Sequence, residues 1–80
     1  MMNKVDLKLI KASSGEELIL KYCTVQSIMI TSKDINTPIV DGDYLHHFLS
    51  DEVVENYVID EVILNKGTYP HYEIYVSKIN

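Results

Sequence analysis

The chain has 80 residues, 46% of them hydrophobic and 24% charged, with a formal net charge of −5; this is the balance of a single domain spanning residues 1–80, too short to build a second core. Uninterrupted apolar stretches stop at three residues, as in Leu18-Ile19-Leu20, against the roughly 20 that a membrane-spanning helix needs. The amino terminus lacks the apolar centre of a secretory signal, so a cytoplasmic protein with no membrane partner is expected.

Lys4 to Lys11 alternates with period two, which puts Val5, Leu7 and Leu9 on one face of a strand. Residues 12–16 are turn chemistry, with Gly15 able to take positive φ. Glu17 to Tyr22 resumes as a strand with Leu18, Leu20 and Tyr22 on one side, and the two segments read as an antiparallel hairpin. Val25 to Thr31 is β-branched and alternates poorly, which predicts a third strand covered on both faces.

Ser32 to Asp41, with Pro38, is a loop. Asp43 stands where a carboxylate caps a helix, and Leu45, Phe48, Leu49 and Val53 follow at helical spacing. Ser50-Asp51-Glu52 offers a second helix start. Asn56 to Leu64 is dense in Val, Ile and Tyr and predicts a strand. After the turn at Asn65-Lys66-Gly67, His71 to Ile79 alternates, with Tyr72, Ile74 and Val76 on one face and Tyr75 on the other. Pro70 belongs at that strand's start. The expected fold class is α+β: an antiparallel sheet of about five strands, two hairpins plus one strand, with one helix packed on a face.

Charge is segregated along this order. Asp34, Asp41, Asp43, Asp51, Glu52, Glu55, Asp60 and Glu61 fall in a window without a lysine, while all seven lysines lie outside it with the other four acids. A field of one sign reaches roughly 8–10 Å at physiological salt. It repels phosphate, so direct nucleic-acid binding is not expected. There is no arginine, which removes the side chain best shaped for bidentate phosphate recognition. Ile, Lys, Asn and Tyr, whose codons are AT-rich, make up 28 of the 80 residues.

Catalytic and metal motifs fail on inspection. Asp41, Asp43 and Glu52 match positions one, three and twelve of a calcium-binding EF-hand loop, but Leu45 and His46 occupy the fifth and the glycine-requiring sixth. His46 and His47 are adjacent and would diverge on a helix, and no paired close spacing announces zinc. Cys23 lies in a strand-like stretch without the positive surroundings of an activated thiolate, so it reads as a small buried hydrophobe. The single glycines form no phosphate-cradling loop. No metal, cofactor or catalytic residue is expected, and the chain is not expected to be an enzyme.

The expected function is therefore binding. Asp41, Asp43, Asp51, Glu52, Glu55, Asp60 and Glu61 would form an acidic docking surface for a basic surface on a partner, such as a nucleic-acid-binding protein, with Tyr44, Phe48 and Tyr57 as apolar anchors. In size, acidity and AT-rich codon usage the chain is similar, as a class, to phage-encoded inhibitors of host nucleic-acid machinery, anti-CRISPR proteins among them. That likeness implies an anti-defence inhibitor and covers no motif. Two alternatives stand beside it: an assembly protein that forms a homo-oligomer through its C-terminal hairpin, and a protein that sequesters a small ligand such as a nucleotide at a dimer seam lined by Tyr and Lys.

Overall fold

The computed structural model describes residues 4–79. Six strands follow in order: β1 (Val5–Ile10), β2 (Glu17–Val25), β3 (Met29–Ser32), β4 (Tyr44–Phe48), β5 (Val54–Asn65) and β6 (His71–Lys78). They close into an antiparallel barrel in the order β1-β2-β3-β6-β5-β4. Two three-stranded meanders, β1-β2-β3 and β4-β5-β6, thus meet along two seams. Met29–Ser32 lies against Tyr72–Tyr75 at one, and Lys8–Ile10 against Tyr44–His46 at the other.

The expected α+β class is overturned: the fold is all-β, and the described residues contain no helix. The segment read as a helix is β4 and the turn after it. Leu45 points into the barrel and is fully buried, whereas Phe48, Leu49 and Val53 of the supposed helical stripe are all exposed. Tyr, His and Phe lose side-chain freedom in a helix and suit a pleated strand. Pairing with β1 on one side and β5 on the other then decides the outcome. Asp43 caps nothing helical; it leads into β4. The expected third strand is also divided, because a turn closed by Gln26 N donating to Met29 O (3.0 Å) separates Val25 of β2 from β3.

Two bulges re-aim side chains. Pairing passes from Val5 with Cys23 to Leu7 with Leu20, so Lys21 and Tyr22 together oppose Asp6. Tyr22 there has φ 57° and faces solvent, and Cys23 takes its place inside. The expected shared face of Leu18, Leu20 and Tyr22 therefore breaks at Tyr22. On β5, pairing passes from Ile59 with Val76 to Glu61 with Tyr75, which makes Asp60 the extra residue. Tyr57 and Ile59 face inward before it, and Val62 packs against the core after it, so the inward face changes phase.

Leu7, Leu9, Leu20, Ile30, Leu45, Ile59 and Ile74 are all but completely buried and fill the barrel, so its interior is a packed core. The long connection between the meanders is clipped by Asp43. Its carboxylate accepts from Lys11 Nζ, from Ala12 N (3.0 Å) and from Val40 N (3.1 Å). Tyr72 donates its hydroxyl to the carbonyl of Thr37 in the same connection (3.2 Å). β5 is the longest strand at 12 residues, about 40 Å at the usual rise, and with β6 it overhangs the barrel at one end. Among the described residues no helix is long and apolar enough to cross a membrane.

Candidate functional site

Alternation on β4 turns Tyr44, His46 and Phe48 outward. The outward residues facing them on β5 are Val58, Asn56 and Val54. Tyr44 is 37% and Phe48 55% exposed, and the His46 ring meets Phe48 edge-on with 6.4 Å between centroids. The turn beyond adds Leu49 and Val53, both about half exposed, and is held by Leu49 N donating to Val53 O (2.9 Å). These residues form an apolar strip along the outside of the β4–β5 hairpin.

Acids stand at both ends of this strip. Asp51 and Glu52 are exposed on the turn itself. At the other end lie Asp41, exposed just before Gly42, and Asp60 and Glu61 at the β5 bulge; Gly42 N donates to Ile59 O (2.8 Å), which ties the two stretches together. The span from Val54 to Asp60 is about 20 Å at the usual strand rise. Asp60 accepts a short hydrogen bond from Ser77 Oγ (2.5 Å), and none of these five acids forms an ion pair among the described residues.

Three residues of the expected surface are withdrawn from it. Asp43 is 1% exposed and neutralised by Lys11. Burial alone would raise its carboxyl, but hydrogen bonds from Lys11, Ala12 and Val40 prevail and hold it below the usual carboxylate range. Glu55 sits on the inward side of β5 at the barrel mouth and pairs with Lys78 Nζ (2.9 Å). That hydrogen bond and one from the Tyr57 hydroxyl (2.9 Å) hold Glu55 low as well. Tyr57 is 4% exposed, so it is a core residue and not an anchor. Burial, with the Glu55 carboxylate, pushes its phenol up to about 12. Asp34, in the same acidic window, is also used internally, accepting from Lys21 N (3.2 Å) and from the Thr37 hydroxyl (2.9 Å).

Val54 and Val58 belong to the strip although the sequence offers them no site role, and Leu49 and Val53, expected in a helical stripe, join it from the turn. Period-two reading of Tyr44-Leu45-His46-His47-Phe48 is the signal that places them. The remaining chemistry is sparse. Cys23 is fully buried, and that burial pushes its thiol up to about 11, partly offset by Ser32. His47 lies inward with Nδ1 3.5 Å from Glu55 Oε1, while His46 lies outward, so the two imidazoles diverge. Among the described residues no three His, Cys, Asp or Glu side chains converge on a metal position. A groove of about 460 Å³ between the connection and the overhang is lined by Ile39, Val40, Asp41, Val62, Leu64 and Tyr72. Its one charged residue is an acid, the wrong sign for a nucleotide phosphate. No protein-family model, curated protein or solved structure matches this chain.

Proposed function

We propose that this is a non-enzymatic binding protein that docks the outer face of its β4–β5 hairpin on a basic surface of a partner protein. The observation that carries the reading is the apolar strip of Tyr44, Phe48, Leu49 and Val53 with unpaired acids at both ends. Aromatic and aliphatic side chains give the contact a desolvated centre, and Asp51 and Glu52 at one end with Asp41, Asp60 and Glu61 at the other steer and orient it. Two carboxylate clusters about 20 Å apart along the strand stand in for separated phosphates, which fits a partner whose basic surface is a nucleic-acid channel. An inhibitor of host nucleic-acid machinery, as phage encode, is the role this arrangement serves best.

The test is capture from a bacterial lysate on the immobilised protein, followed by calorimetry of the captured partner at low and high salt. Affinity should fall with ionic strength, nucleic acid should compete, and reversal of the end charges (Asp51→Lys with Glu52→Lys) should weaken binding. Affinity indifferent to salt and to that double substitution would refute the docking mode.

A further inference from the structure

His71 opens β6 and aims both ring nitrogens at acceptors. Nδ1 lies 2.7 Å from the carbonyl oxygen of Tyr69, in the turn 66–70, and Nε2 lies 3.3 Å from Glu73 Oε2, two residues along the strand. A carbonyl and a carboxylate only accept, and a neutral imidazole carries a single N–H. Only the imidazolium can donate to both, so the arrangement suits the protonated ring. These two contacts, the Tyr69 carbonyl first, raise the imidazole above its ordinary 6.5. The charged groups around the ring are few. Ser32 pairs with Tyr72, which brings Lys33 alongside His71 from the β3 side, and its ammonium opposes the proton. On the other side Asn65 of β5 pairs with His71, and Ile63 and Thr31 flank Glu73; all three are uncharged. Lys66 is the only charged residue of the turn itself.

We propose that His71 is a proton-operated clip on this turn: as imidazolium it joins the Tyr69 carbonyl to the Glu73 carboxylate, and as neutral imidazole it releases one of them. With the proton kept on Nδ1, the lone pair of Nε2 faces Glu73 and the carboxylate turns away. With the proton on Nε2, the Tyr69 carbonyl goes free. Either way the link from turn to strand is broken at one end. Among the described residues the turn's other tie is Gly67 N donating to Asn65 Oδ1 (2.9 Å), at its far end, and Pro70 has no amide to offer one. The segment released carries Tyr69, which at 79% is more exposed than any other large apolar side chain among the described residues. Because the folded value is raised, the clip is closed below 6.5 and opens as pH rises through the higher folded value. Proton loss thus turns a fixed aromatic into a mobile one. None of these residues belongs to the β4–β5 face, so the clip does not depend on the docking reading.

An NMR titration of the histidine rings of the purified chain from pH 5 to pH 9 tests this, with His71 assigned by the signals that His71→Gln removes. The expected midpoint for His71 lies above that of the same residue in the urea-unfolded chain, with both ring nitrogens protonated below it. Glu73→Gln should move the midpoint to lower pH and Lys33→Gln to higher pH. Carbon-13 relaxation at the α-carbons of Thr68 and Tyr69 should show a turn more mobile at about pH 8.5 than at about pH 5.5. In His71→Gln the turn should be mobile at both. Lys33 is exposed and His71 and Glu73 are partly so, and unchanged circular dichroism verifies each fold. A midpoint equal to that of the unfolded chain overturns the proposal, as does one indifferent to Glu73→Gln or a turn whose mobility ignores pH.

Discussion

Lys11 and Asp43 form an ion pair at the junction of the two meanders, with the carboxylate 1% exposed and two backbone amides, Ala12 N and Val40 N, donating to it as well. Lys11 Nζ also donates to Pro38 O (3.1 Å). One side chain thereby ties the end of β1, the long connection and the start of β4. Asp43→Ala should cost about 3–5 kcal/mol, because it strands two amides and a half-buried ammonium. That is a large part of the roughly 4–12 kcal/mol expected for a chain of this length. Urea unfolding measures it.

The same carboxyl predicts the acid limb. Its folded pKa is depressed, so its contribution is complete above the unfolded Asp value near 3.9 and disappears as pH falls through the lower folded value. Stability plotted from pH 6 to pH 2 should fall less steeply in Asp43→Asn than in the parent. Equal slopes would show that other carboxylates govern acid unfolding.

At alkaline pH the sign reverses. Tyr57 titrates at about 12 in the fold against an ordinary 10.0, so its neutral phenol supports the structure fully below pH 10, and that support is lost as pH rises toward 12. Burial is the larger cause and the Glu55 carboxylate the second. Glu55→Gln should therefore move the Tyr57 ionisation to lower pH without abolishing the elevation, and Tyr57→Phe should remove that ionisation from the absorbance titration.

Tyr22 holds a left-handed φ of 57° at the β2 bulge, with its ring in solvent. A residue with a Cβ pays there for a conformation that glycine adopts without strain. Tyr22→Gly should raise stability by about 0.5–1 kcal/mol, and Tyr22→Val should lower it. Thermal melting distinguishes the two.

On the proposed docking face, Phe48→Ala should cut partner affinity at least about tenfold, mainly through faster dissociation, as truncation of a central anchor does. Asp60→Lys should mainly slow association. Both residues are exposed, so melting temperatures should stay near the parent's, and surface plasmon resonance separates the two rates.

Both terminal hairpins could be read from the chain because turn residues and alternation agree there: Leu7 and Leu9 face inward, and Tyr72, Ile74 and Val76 do the same. The middle could not. Leu45, Phe48, Leu49 and Val53 satisfy helical spacing by coincidence, and only the partners on either side of β4 make it a strand. Bulges at Tyr22 and Asp60 are equally hidden, since one added residue leaves composition untouched while reversing every following side chain. Among the site residues, Tyr44, Phe48, Asp51 and Glu52 lie outward as a docking role requires. Asp43, Glu55 and Tyr57 do not, because lysines distant in sequence and the barrel interior claim them.

The two seams carry a consequence for how the chain reaches its native state. Each meander by itself shows two bare margins and only part of an apolar lining, so neither half is a stopping point. Lys8 meets His46 and Thr31 meets Glu73 across some forty residues of chain, which makes ring closure slow and the transition all-or-none. A cut in the connection at residues 33–42 should accordingly yield two pieces that are unstructured apart and regain the barrel when mixed.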